Sequence, residues 1–249
     1  MMSDVGQPAP SPAAPETEVG RDASLIRVDR VSKTFDPRDG ALLTDISFEI
    51  SAGETLAFTG KSGSGKSTLL SIAGGFLQPD QGAVTYDLPS IGARQSLNDR
   101  MRARFIGMVF QYSHLVPTLS AAENVEIPMI GQGIARHARE ARARDLLHQV
   151  GLAQQADRKP AQLSGGERQR VGVARAFALA PKLILADEPT GSLDRAAADA
   201  ITEVLLSITQ RHNGALIVVT HDLALAHRMD RRMELRDGRL FEAELGATP

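Results

Sequence analysis

The stretch Gly60 to Thr68, G-K-S-G-S-G-K-S-T, limits what this chain can fold into more than any other. Glycines at 60, 63 and 65 let the backbone turn tightly and point its N–H groups inward, with Lys61, Ser62 and Ser64 filling the turn. Thr55 to Thr59 before it reads as a short buried strand. Thr68 to Ala73 after it reads as a helix with Leu69, Leu70 and Ile72 as its apolar residues, stopped by Gly74 and Gly75. A strand, a glycine loop and a helix N-terminus in that order aim backbone donors and the positive end of a helix dipole at one point, which suits a polyphosphate. Lys66 is then placed to reach the β- and γ-phosphate oxygens, and Ser67 to offer a hydroxyl to Mg²⁺.

Around the loop, strand and helix patterns alternate. From Leu25 to Phe35 and from Ser47 to Ile50 apolar and polar residues alternate or nearly so, with turn signals at Asp36-Pro37, Asp39-Gly40 and Ala52-Gly53, so antiparallel strands should lead into the loop. Beyond it, Pro79 to Gly82 form a turn before a strand at Ala83 to Tyr86. Leu97 to Arg104 is a basic, helix-compatible piece, and Ile106 to Phe110 is a buried strand ending on Gln111. Arg100, Arg102 and Arg104 fit a solvated helix face better than a nucleic-acid patch, because the whole chain carries a formal net charge of −2. From Tyr112 to about Gln162 the strand signal vanishes. Ser120 and Glu123 have capping-box spacing, and Ile134 to Val150 is a long helical stretch closed by Gly151. Ser164 and Glu167 repeat that spacing and open a helix carrying Val171, Val173, Ala174, Phe177 and Leu179, which Pro181 ends.

Leu183 to Ala186 is a continuous apolar run, as expected of a strand buried on both faces of a parallel sheet, and it delivers Asp187 and Glu188 at its carboxyl end. Ligands of such sheets bind outside the carboxyl ends of the strands. Asp187 is therefore placed to hold Mg²⁺, through water, and Glu188 to polarise an attacking water. A helix from about Arg195 to Arg211, a strand from Ala215 to Thr220, a short helix after Asp222 and a hairpin turning at Asp237-Gly238 complete the pattern. The fold class expected is α/β: a mostly parallel central sheet with crossover helices, an antiparallel β layer before it and a helical insert within it.

Further segments complete a known pattern. Leu163-Ser164-Gly165-Gly166-Glu167-Arg168-Gln169-Arg170 closely resembles the signature motif of ATP-binding-cassette (ABC) ATPases, which are P-loop NTPases. Gln111 falls where that family has its Q-loop glutamine, Ser192-Leu193-Asp194 where it has the D-loop, and His221 where it has the switch histidine. Order and spacing agree from about Leu25 to Leu240. The resemblance implies a head-to-tail dimer in which each ATP lies between the loop at Gly60 to Thr68 of one copy and Ser164, Gly165, Gly166 and Asp194 of the other. By the same carry-over, His221 contacts the γ-phosphate, Gln111 senses Mg²⁺ and the attacking water, and Phe35 stacks on adenine. Glu167 stands where glutamine is commonest and Lys61 where proline is frequent. The segments Ile106 to Gln111, Leu115 to Val125 and Ala186 to Asp194 are similar to the branch containing the ATPases of lipoprotein-release, macrolide-efflux, haem-efflux and cell-division complexes. That branch implies a separate integral-membrane permease docking around Tyr112 to Met129. A regulatory ATPase gating a cell-envelope enzyme would use the same site. A non-transport relative acting on nucleic acid or ribosomes is disfavoured, since such proteins usually carry paired cassettes, coiled coils or zinc modules.

Composition bounds the rest. At 249 residues and 42% hydrophobic, the chain can build a substantial core, and without cysteine it has no disulfide or thiolate metal site. No apolar run approaches a membrane span, so the expected location is peripheral, on the cytoplasmic face of the inner membrane, held there by the partner. The expected division is a proline-rich disordered tail at 1–23 and one ATPase domain at 24–245, with a helical subdomain at about 112–165.

Overall fold

The computed structural model describes residues 24–36, 38, 40–88 and 92–243, so the expected tail at 1–23 lies outside the described residues. Two sheets organise the chain. β1 (Ser24–Lys33), β2 (Leu43–Ser51), β4 (Gln81–Leu88) and β5 (Gly92–Arg94) form an antiparallel sheet in the order β2-β1-β4-β5. The second sheet has the order β10-β9-β3-β8-β7-β6, built from β3 (Thr55–Thr59), β6 (Ile106–Phe110), β7 (Leu183–Asp187), β8 (Ala215–Val219), β9 (Arg231–Arg236) and β10 (Arg239–Glu242). All its pairings are parallel except the closing β9–β10 hairpin.

The central strands divide two hydrophobic cores by simple alternation. Leu56 and Phe58, Leu183 and Leu185, and Ala215, Ile217 and Val219 face the core shared with the antiparallel sheet and α1 (Lys66–Ala73). Ala57, Ile184, Ala186, Leu216 and Val218 face the other core. That second core is shared with α3 (Ala121–Gly131), α4 (Arg136–Gln149), α5 (Gly165–Ala176) and α6 (Arg195–Arg211). Burial on both faces explains why these strands read as unbroken apolar runs.

The helices start where their caps dictate. Ser120 with Glu123 and Ser164 with Glu167 both form complete capping boxes, and Asp194 caps α6 by accepting from Ala197 N. Three local expectations are corrected. The first helix begins at Lys66, two residues before Thr68, because Gly65 takes a left-handed φ of 99° and turns the chain directly into it. The strand expected at Ala83 to Tyr86 runs from Gln81 to Leu88 and gains β5 as a partner. Arg102, on α2 (Asp99–Phe105), is not a solvated residue: it donates to the carbonyls of Gly75 and Leu97 and stacks over Phe76. A guanidinium on a long apolar stem can satisfy distant carbonyls, which a one-dimensional pattern does not show. Arg100 and Arg104 are exposed.

Candidate functional site

Strands β3, β8, β7 and β6 lie side by side, with Phe58 opposite Val219, Val219 opposite Asp187, and Asp187 opposite Phe110. The residues that follow, Gly60, Thr220, His221, Glu188 and Gln111, therefore leave the sheet in one row at its carboxyl edge.

The loop after β3 is shaped by backbone that other residues would not tolerate. Gly60 has φ 142°, and a Cβ there would sit 2.4 Å from the carbonyl oxygen of Leu235. Lys66 is buried, and its ammonium donates to the carbonyls of Gly60 at 3.0 Å and Lys61 at 2.8 Å. The hydroxyl of Ser64 is buried without a partner inside the same loop. Such an orphan polar atom fits a ligand that completes its hydrogen bonding.

Ser67 Oγ donates to Asp187 Oδ1 at 3.1 Å. Burial pushes the Asp187 carboxyl above its ordinary range; the Ser67 hydrogen bond opposes this, neighbouring Glu188 adds to it, and Lys66 opposes it. A hydroxyl and a half-buried carboxylate at this distance form a hard oxygen donor set of the kind that suits Mg²⁺. Among the described residues no group of three or more His, Cys, Asp or Glu could hold a metal by itself. An ion here would draw its remaining ligands from phosphate and water, which is the usual habit of Mg²⁺.

Glu188 is held in an unusual way. Its φ of 47° lies in the left-handed region, a strained setting for a side chain of this size that is maintained by its N–H bonding to the carbonyl of Val219 at 2.9 Å. Its Oε2 accepts from Thr220 Oγ1 at 3.2 Å and the His221 N–H at 3.3 Å, and lies 2.9 Å from His221 Nδ1.

Two adjoining cavities line this row. One, of about 740 Å³, is bounded by Phe35, Lys61, Ser62, Gly63, Ser64 and the turn at 234–238. The other, of about 580 Å³, is bounded by Gly65, Lys66, Ser67, Thr68, Gln111, Glu188 and His221. Leu42, Ser62 and Gly63 are common to both. Phe35 is 63% exposed, an aromatic face at the rim of the larger cavity. Its electron-rich ring lies 5.6 Å from the Lys33 ammonium.

Ser164, Gly165, Gly166 and Asp194 border neither cavity. They form a separate patch: Gly165 faces Leu193, Gly166 packs on Ala197, and Ser164 and Asp194 cap the two helices that meet there. The Glu167 carboxyl turns back to accept from Ser164 N at 2.7 Å, and this bond, followed by that from the Ser164 hydroxyl, pulls its pKa below the ordinary value.

Two residues that shape the site were not singled out from the sequence. Thr220, which holds Glu188, follows an apolar strand and reads as its last residue. Gln169 is 3% exposed, and its amide donates to the carbonyls of Phe110 at 2.7 Å and Pro189 at 3.0 Å. One signal could have revealed it: Gln169 stands four positions before Val173, on the buried face of its helix.

Residues 43–191 match the family model described as ABC transporter. The lipoprotein-releasing system ATP-binding proteins LolD of Bordetella pertussis and Bordetella parapertussis are 41% identical over 227 residues, spanning 90% of this chain and 98% of each relative. A solved dimeric ATP-binding cassette in a post-hydrolysis state bound to ADP and Pi is similar with a TM-score of 0.77 at 35% identity. A dimeric bacterial ABC transporter cassette is similar with a TM-score of 0.77 at 36% identity. Each alignment covers 90% of this chain and 100% of the solved one.

Proposed function

The chain belongs to the ABC transporter family, in the branch of the LolD proteins, as an ATP-binding and ATP-hydrolysing subunit, and we propose that it powers lipoprotein release through a separate integral-membrane permease. The observation that carries this reading is the split of its functional residues. Lys61 to Thr68, Gln111, Glu188 and His221 line two adjoining cavities that together form an open cleft, whereas Ser164 to Gly166 and Asp194 stand on another patch. A second copy placed head to tail would bring that patch over the open cleft, as the dimeric state of the similar solved cassettes supports.

Within the cleft, Phe35 stacks on adenine, the loop N–H groups and Lys66 hold the phosphates, and Ser164 to Gly166 of the second copy present a helix N-terminus to the γ-phosphate. Ser67 and Asp187, with Gln111, would hold Mg²⁺, which when bound neutralises charge on the phosphates. Glu188 orients the attacking water and accepts its proton, and His221 turns from Glu188 to the γ-phosphate. ATP favours the closed pair and its hydrolysis loosens it, which supplies the movement. The helices between β6 and β7, at about 112–165, serve as the subdomain that meets the permease and keeps the chain peripheral on the cytoplasmic membrane face. Among the described residues no helix is long and apolar enough to cross a membrane.

The decisive test is Glu188→Gln. It should bind ATP, accumulate as a closed dimer in size-exclusion chromatography, and lose roughly 100- to 10,000-fold in turnover, the usual loss for a positioned base. Normal turnover would remove Glu188 from its role. Affinity capture from membranes should retain an integral-membrane subunit, and capture without one would overturn the permease assignment.

A further inference from the structure

Helix α5 does more than present its N-terminus. Along one face it grips the segment that carries Gln111. Gln169 donates to the carbonyl of Phe110 at 2.7 Å, the backbone at Gly172 lies so close that an added Cβ would stand 3.3 Å from the Cβ of Ser113, and Arg175 donates to the carbonyls of Ser113 and His114. The same Gln169 amide reaches across to the carbonyl of Pro189 at 3.0 Å, one residue beyond Glu188. A single buried side chain therefore joins three pieces: the helix that begins at Ser164, the residue before Gln111 and the residue after Glu188. Ser192 Oγ donates to the carbonyl of Gln111 at 3.1 Å and closes the same ring.

We propose that Gln169 is a positioning residue for hydrolysis, a joint through which contact of Ser164 to Gly166 with one nucleotide fixes Gln111 and Glu188 around the other. The inference rests on the head-to-tail dimer proposed above. The physical case is geometric. The carbonyl of Phe110, at the end of β6, and that of Pro189, two residues beyond β7, accept from one amide on a side chain that is 3% exposed, so neither can move far without straining the bond to the other. A helix that shifts on meeting nucleotide must carry both carbonyls with it. Because catalysis loses steeply when reacting groups move by about 1 Å, such a joint acts on turnover more than on binding. Gln169 is 3% exposed, with its amide spent on two carbonyls, so it offers no free group to a nucleotide.

The test uses the purified full chain and two variants. Gln169→Met keeps the length and removes the donors, and Gln169→Asn keeps the amide and removes its reach. For each, kcat and KM are measured, together with ATP affinity and, in a Glu188→Gln background, ATP-driven dimerisation. Expected are a kcat at least tenfold lower, a KM and ATP affinity within about twofold of the parent, and a retained ATP dimer, the split left when an interaction made only in the transition state is lost. If Gln169→Met fails to fold, Gln169→Asn decides by the same measurements. Unchanged kcat overturns the inference, as does a parallel loss of kcat, ATP affinity and melting temperature, which would mark Gln169 as merely structural. Failure of Glu188→Gln with Gln169 intact to dimerise on ATP would overturn the head-to-tail pair and this inference with it.

Discussion

Lys66 and Asp187 illustrate how side chains in this cleft trade stability for binding. The Lys66 ammonium is tied to two carbonyls of its own loop, which holds it where phosphate oxygens would arrive on the proposed reading. Lys66→Ala should weaken ATP binding severely while leaving the fold intact, as measured by equilibrium binding of a fluorescent ATP analogue and by circular dichroism. Asp187 is the opposite case, a carboxyl whose pKa burial raises. The folded chain keeps that proton to higher pH than the unfolded chain, so stability falls as pH rises from the ordinary carboxylate value through the raised one. Asp187→Asn should therefore melt at higher temperature than the parent at pH 7 in the absence of nucleotide. The difference should vanish below about pH 4, where both states are protonated. The same variant should lose Mg²⁺-dependent hydrolysis, the usual exchange of activity for stability at a functional carboxylate.

Between elements, contacts narrower than a methyl group decide the packing. β6 approaches α5 so closely that a Cβ at Gly107 would stand 2.4 Å from the carbonyl oxygen of Ala176. Gly107→Ala should cost about 1–3 kcal/mol by overpacking, visible as a lowered midpoint in urea. Ser120→Ala should cost about 1 kcal/mol by removing the cap of α3, or roughly 2–4 °C of melting temperature. Features of this scale differ in how readily the sequence shows them. Capping boxes at Ser120 and Ser164, the run at Leu183 to Ala186 and the helix from Arg195 to Arg211 are local, and each was legible as written. The loop from Gly60 to Thr68 was legible for the same reason, because its chemistry lies within consecutive residues. β5, the burial of Arg102, the hold of Thr220 on Glu188 and the reach of Gln169 all depend on partners distant in sequence. Gly107 likewise matters only because α5 lies against it, a closeness that no spacing of residues encodes.

For the whole molecule, the cleft and the Ser164 patch are separate surfaces, and on the proposed head-to-tail reading only association would join them. Glu167 is ionised on that patch, with its carboxylate folded over the end of α5 that would meet a polyphosphate. Glu167→Gln preserves the capping geometry and removes one negative charge, so it should tighten ATP-driven dimerisation slightly. Analytical ultracentrifugation against ATP concentration would show this, and an unchanged or weaker dependence would count against it. The strand order β10-β9-β3-β8-β7-β6 carries a mechanical corollary. β3 and β8 are each bonded to a strand on both sides, whereas β6 ends the sheet and is bonded only to β7. The loop of Gly60 to Thr68 thus hangs from an interior strand of the sheet, and Gln111 from an edge strand that α5 braces on one face. Amides of β6 should exchange with deuterium sooner than those of β3 and β8. On the proposed reading, a membrane partner would therefore act on the cleft through Gln111 at the sheet edge, with the phosphate loop anchored between two neighbouring strands.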